Sequence, residues 1–205
     1  MTLKKLLHNF NGHLHTVNAH RRLVRKYCFK LGIYRQGLMH DLSKYSPSEF
    51  IPGVKYYQDG HRSPNNAQRE DEGVSKAWLH HKGRNKHHFE YWIDYSIDKD
   101  HPGLVGMKIP KKYMAEMFVD RVSAGKIYNG DEFDQKSPLE YFEHGIGASI
   151  MCEASRDYLL NLLRMYAEKG EKYTFAYLKN DLKNDMSGYD KISPFQQCKK
   201  NIKIG

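Results

Sequence analysis

The strongest constraint on the fold is the period of the apolar residues. Along nearly the whole chain they recur at i, i+3, i+4 and i+7, and no sustained period-two alternation rich in Val, Ile and Thr interrupts them. That pattern predicts an all-α protein. A first long helix is expected over about 12–31, with Val17, Val24, Cys28 and Leu31 on one face and Gly32 as its stop. A short second helix follows over 34–44. Ser46-Pro47-Ser48-Glu49 reads as a capping box that opens a third helix towards Tyr57. Residues 59–73 read as a surface excursion, 74–81 as helix, Arg84-Asn85-Lys86 as a turn, 87–95 as helix and 98–108 as a second linker. Pro110 opens a strong helix to about Tyr128, and Ser137-Pro138-Leu139-Glu140 repeats the capping-box arrangement. A long amphipathic helix over 150–169 stops before Gly170, and a last one over 173–183 precedes a polar, frayed tail. In a chain of 205 residues this predicts one helical core over 1–136, with a helical extension over 137–205 packed on it.

Several classes are excluded early. No apolar stretch approaches the roughly 20 residues that span a bilayer, and Met-Thr-Leu-Lys-Lys-Leu-Leu-His lacks the apolar core of a signal peptide, so a cytoplasmic protein is expected. Cys28, Cys152 and Cys198 are odd in number, far apart and without a C-x-x-C pair. They argue against a disulfide framework or a thiolate zinc site and read as small buried hydrophobes. A net charge of +9 favours anionic partners, either phosphorylated small molecules or nucleic acid. The unusual count is 12 histidines, which makes their placement the main question, since imidazole is the commonest metal ligand and acid/base group at neutral pH.

Asp120 falls mid-stripe with Tyr113, Met117, Ala124 and Ile127 on the helix after Pro110. A carboxylate there needs a partner, either a metal or a buried lysine or arginine. His13 and His20 lie two turns apart on the Val17–Val24–Leu31 face, and His40-Asp41 sits inside the mainly apolar Gly37-Leu38-Met39-His40-Asp41-Leu42. The densest cluster is His80-His81-Lys82-Gly83-Arg84-Asn85-Lys86-His87-His88, which is either a basic turn that contacts phosphates or a source of two inward imidazoles. A mixed His/Asp set without thiolate suits one or two divalent ions among Mn, Fe, Ni, Zn and Mg.

His20, the His40-Asp41 doublet, the later histidines His80, His81, His87 and His88, and finally Asp120 follow an order that resembles the HD-domain superfamily of metal-dependent phosphohydrolases. The strings His40-Asp41-Leu42-Ser43-Lys44-Tyr45-Ser46, His81 through Trp92 and Pro110 through Met117 resemble one uncharacterised bacterial and phage family within it, over about 14–141. The resemblance implies an HD-like helical bundle with additional C-terminal helices. It implies that His20, His40, Asp41 and Asp120 hold one metal, with Asp41 bridging to a second held by His81 and by His87 or His88. The interval from His20 to His40 is short for the superfamily, which keeps His13 and His15 as alternative first ligands.

The function this implies is hydrolysis of a nucleotide or other small phosphorylated metabolite through a metal-activated water. Asp41 or Asp120 would orient the water, and Lys44 and Arg84 would bind the substrate phosphate. Tyr56, Tyr57, Trp78 and Trp92 either stack a base or pack in the core. Two other functions fit the same residues: a di-iron oxygenase resembling myo-inositol oxygenase, and a non-enzymatic nucleic-acid-binding module built on the 80–88 turn. No membrane partner is expected, and the helices from about Ser137 either cover the site or form a homodimer interface.

Overall fold

The structure, a computed structural model, describes residues 2–193 apart from 98, 101 and 146, and 72% of them are helical. The elements are α1 (Leu3–Leu31), α2 (Tyr34–Met39), α3 (Pro47–Lys55), α4 (Pro64–Glu72), α5 (Lys76–Lys82), β1 (Ile93–Tyr95), β2 (Leu104–Gly106), α6 (Lys111–Asn129), α7 (Ser137–Glu143), α8 (Gly147–Ile150) and α9 (Glu153–Asn184). The expected all-α class holds. Its one exception among the described residues is a two-stranded antiparallel ribbon pairing Ile93 with Gly106, Asp94 with Val105 and Tyr95 with Leu104.

Helix α6 is the central element. Met114, Ala115, Met117, Phe118, Val119 and Val122 are all buried, so neighbours wrap it on several faces. Against it α1 lays Val24, Tyr27, Cys28 and Leu31, and α9 lays Leu159, Leu162, Leu163 and Tyr166. This apolar cluster runs across residue 136 without a break, because α9 supplies one of its walls. The expected stripe on α1 is buried, and Gly32 ends that helix in the left-handed conformation at φ 80°. Cys28 and Cys152 are free and buried, while Cys198 lies outside the described residues; the expected frayed tail is corrected over 184–193, where Tyr189 is buried and donates to Ile109 O at 2.6 Å. Among the described residues no helix is long and apolar enough to cross a membrane.

Four further local expectations are corrected. Helix α1 begins at Leu3, capped by Thr2 Oγ1, which accepts from Lys5 N at 3.3 Å. Its first turns present exposed Leu3, Leu7 and Phe10, so no apolar burial marks them. Residues 64–72 form α4, a helix with so few apolar residues that periodicity is silent; Pro64 in its first turn and Gly73 at φ 74° carry the signal instead. Residues expected as helix over 87–95 and linker over 98–108 hold the β ribbon, whose three-residue strands are too short to show alternation. Neither capping box forms, since Ser46 caps α3 without a side-chain hydrogen bond and α7 is capped from Lys136. The expected break between the two C-terminal helices does form: α9 is interrupted at Gly170, whose backbone is non-helical (φ 78°, ψ 177°).

One buried charge network ties α6 to α9. Lys111, 5% exposed, places Nζ 3.3 Å from Asp181 Oδ2 and 3.2 Å from Asp190 Oδ2, and also contacts Asp185. Asp181 further accepts from Tyr158 Oη at 2.8 Å. Replacing Lys111 with alanine leaves Asp181 buried without its cation. The expected loss is about 3–5 kcal/mol of stability, read as a lower urea midpoint at neutral pH.

A candidate two-metal centre

Four segments converge beside α6. His20 comes from the middle of α1, where it is 6% exposed. His40 and Asp41 come from a break after α2, which corrects the expected helix to residue 44. Helix α2 ends at Met39, and Asp41 takes the left-handed conformation (φ 53°, ψ 26°) before a 3₁₀ turn over Leu42–Tyr45. Aspartate tolerates that conformation better than most L residues. Arg21, next to His20, fastens the break to α1: its guanidinium donates to His40 O at 2.8 Å, Leu38 O at 3.2 Å and Tyr45 Oη at 3.0 Å. His81 lies in the last turn of α5, His87 and His88 follow the turn, and Asp120 projects from α6.

The side chains form two groups that share one carboxylate. In the first, His20 Nε2 stands 3.2 Å from His40 Nε2, 3.5 Å from Asp41 Oδ2 and 3.0 Å from Asp120 Oδ1. His40 Nε2 is 3.4 Å from Asp41 Oδ2 and 3.4 Å from Asp120 Oδ1. In the second, Asp41 Oδ1 is 3.4 Å from His81 Nε2 and 3.3 Å from His87 Nε2, and His81 Nε2 lies 2.9 Å from His88 Nε2. Donors about 2.1 Å from one ion, set about 90–110° apart, stand roughly 3.0–3.4 Å from each other. Both groups match that spacing, and Asp41 turns one oxygen to each. Asp41 Oδ1, Asp41 Oδ2 and His87 Nε2 are buried yet make no hydrogen bond of normal geometry, as expected of atoms reserved for cations. The residues present therefore fit two divalent ions.

Two carboxylates missing from the sequence-based ligand set orient the imidazoles. Glu116 Oε1 accepts from His40 Nδ1 at 2.9 Å and lies 3.2 Å from His87 Nδ1. Glu49 Oε2 accepts from His81 Nδ1 at 2.7 Å, and its Oε1 accepts from His80 Nδ1 at 2.7 Å. An Nδ1–H held by a carboxylate leaves the Nε2 lone pair free for a metal. The sequence carried one signal for Glu116: it precedes Asp120 by four residues and so shares its helix face. Glu49 was masked by the capping-box pattern.

The electrostatics follow from this geometry. Burial alone would raise the carboxyl of Asp41, but His40, Lys44 and His81 hold it well below the usual range. Asp120 is likewise held low against burial by hydrogen bonds from His20 and His40. Burial opposes charge on His87, yet its contacts with Asp41 and Glu116 raise it to about 10. His88 moves the other way, well below its ordinary value, through burial and the neighbouring His87 and His81. Without metal, a proton on His87 offsets part of the buried negative charge.

The structure thus brings His20, His40, Asp41, His81, His87, His88 and Asp120 together. Asp120 has His20 and His40 as its nearest partners rather than a lysine or arginine. Lys44 Nζ is 2.7 Å from Asp41 Oδ2, with its side chain 29% exposed. Arg84 is not brought in: it stands exposed on the turn after α5. His80 is taken by Glu49, and three of the four imidazoles of the 80–88 run point into the centre instead of forming a surface turn. His15 is exposed. His13 is buried against Phe50 and against Gly53, where a Cβ would come within 2.1 Å of its ring, so its burial is accounted for by packing.

Of the aromatic candidates, Trp78 stacks on His81 at 5.6 Å, and Trp92 packs against the core. Tyr56 joins a surface network with Asp71 and Glu72. Tyr57 lines a cleft of about 560 Å³ between α1, residues 57–61 and the end of α6, which also takes in Ala19 and Tyr128. None of the residues of the two groups, nor Lys44, lines that cleft. A family model described as Family of unknown function (DUF5662) matches residues 9–165, a span that includes every residue of both groups. No curated protein and no solved structure matches the chain.

Proposed function

Because the chain belongs to DUF5662, a family of unknown function, its chemistry has to be read from the centre, and we propose a metal-dependent phosphohydrolase acting on a small phosphorylated metabolite. The observation that carries this reading is Asp41, a buried carboxylate with one oxygen facing each of two ligand groups and a lysine at its edge. The ligand order resembling HD-domain phosphohydrolases points the same way. His20, His40, Asp41 and Asp120 would hold one ion, and His81, His87, His88 and Asp41 the other. Divalent ions there supply the Lewis acidity that makes water a nucleophile near neutral pH and offsets charge on phosphoryl oxygens.

The chain's own residues do the rest. Asp120 Oδ1 is engaged with His20 and His40, which leaves Oδ2 to orient the attacking water and accept its proton. Lys44 Nζ, raised above its ordinary pKa by Asp41 against burial, stays charged and binds a non-bridging phosphoryl oxygen. Water oxygen bonds to phosphorus as the ester P–O bond breaks, and the alcohol leaves with a proton.

The test is elemental analysis of protein purified anaerobically, followed by reconstitution with Mn, Fe, Ni, Zn or Mg and a screen of phosphomonoesters. Phosphate release that requires metal supports the reading. Oxygen uptake by iron-loaded protein without phosphate release replaces it with an oxygenase, and salt-dependent nucleic-acid binding by metal-free protein replaces it with a binding module. Lys44→Ala is expected to keep both ions, since removing a cation beside Asp41 does not weaken that ligand. Its kcat/KM on phosphomonoesters should fall about 10²–10³-fold, the scale of losing one charge-stabilising donor. Unchanged kinetics would take Lys44 out of the site.

A further inference from the structure

Glu116 belongs to neither of the two four-residue groups, yet it touches one imidazole of each, and with His40 and His87 it makes a third set of donors close together. It is 5% exposed, and one oxygen, Oε1, takes the Nδ1 sides of His40 and His87. The two rings lie 4.3 Å apart, centroid to centroid. Beyond them His40 Nε2 belongs to the first group and His87 Nε2 to the second. Glu49, the other orienting carboxylate, differs in kind: His81 is its sole contact among the ligands, since His80 lies outside both groups.

We propose that Glu116 is a positioning residue shared by the two sites, so that an ion bound at one prepares a ligand of the other. The inference rests on the two-ion reading above. An ion on His40 Nε2 fixes that ring and its tautomer, which fixes the acceptor oxygen, which in turn holds Nδ1–H of His87 and frees His87 Nε2 to ligate. The reverse path is equivalent, as linkage requires. Asp41 joins the sites through the ions themselves, whereas Glu116 joins them through the outer nitrogens of their ligands.

The test uses cobalt(II) titration, followed by visible absorbance and elemental stoichiometry, on the full chain. His88→Ala isolates the first site and His20→Ala the second. Adding Glu116→Ala is expected to weaken the remaining site in both backgrounds, by about 10–100-fold. Glu49→Ala is expected to weaken it in the His20→Ala background alone. Glu116→Gln, which keeps an acceptor oxygen, should recover part of the affinity in both, and it carries the test if circular dichroism shows the alanine variant unfolded. An effect of Glu116 confined to one background, or to neither, overturns the shared role while leaving the two-ion reading in place. Failure of the unsubstituted protein to bind cobalt at all overturns that reading itself.

Discussion

Asp41→Asn is expected to lose metal from both sites at once. Asparagine keeps the volume of aspartate and tolerates the left-handed backbone found there (φ 53°), so the break between α2 and the 3₁₀ turn survives. What disappears is the charge and one of the two oxygens, and the amide nitrogen then faces either the His20–His40 pair or the His81–His87 pair. Neither orientation offers both groups an anionic donor. Metal content in the variant should drop from two ions per chain to well below one, and phosphomonoesterase activity about 10³-fold. Asp120→Asn is the companion measurement. Asp120 contacts only the first group, so that variant should empty one site and spare the other. Two ions at full affinity in Asp41→Asn would remove the shared carboxylate from the centre.

The parts of this site that were legible in the sequence are those whose residue types are rarely buried without a reason. Histidine and aspartate on apolar faces marked His20, His40, Asp41 and Asp120, and the density of imidazoles marked the 80–88 run. Backbone geometry was less legible. The apolar residues that extend a helical pattern through Asp41 are Leu38, Met39 and Leu42, and all three are exposed, so the pattern there does not report burial. Glu116, Glu49 and Arg21 were missed for a related reason: glutamate and arginine on helices are ordinarily solvated or serve as caps. Their roles depend on imidazole nitrogens and carbonyls that distant segments bring to them, over separations that no local pattern encodes. The reverse error is Arg84. Its place within the histidine run suggested a phosphate ligand, but the turn that sends His81, His87 and His88 inward sends Arg84 outward.

Removing the metal should change how stability depends on pH, not merely lower it. In the metal-free protein His87 is raised to about 10, from an ordinary value near 6.5, by its contacts with Asp41 and Glu116 against the opposing effect of burial. A group raised on folding contributes stability that is complete below its unfolded pKa and is lost as pH climbs through the folded one. The window here is therefore about pH 6.5 to 10, and a shift of this size corresponds to a few kcal/mol, on the order of 1.4 for each unit. Asp41 and Asp120 act at the other end, since both are held well below the ordinary 3.8. Their contribution is present above that value and fades as pH falls towards their depressed folded pKa values. Chelated protein should accordingly weaken steadily from about pH 6.5 towards pH 10, while below pH 6.5 the buried His88 and His13, both held below their ordinary value, favour the unfolded chain. In metal-loaded protein His87 Nε2 carries no proton, so the alkaline decline should vanish and affinity for the ions should rise with pH as protons cease to compete. Urea midpoints at pH 6 and 9.5, with and without chelator, decide the matter: a fall confined to the chelated sample is the expected result. Parallel profiles would mean that His87 does not exchange a proton for an ion.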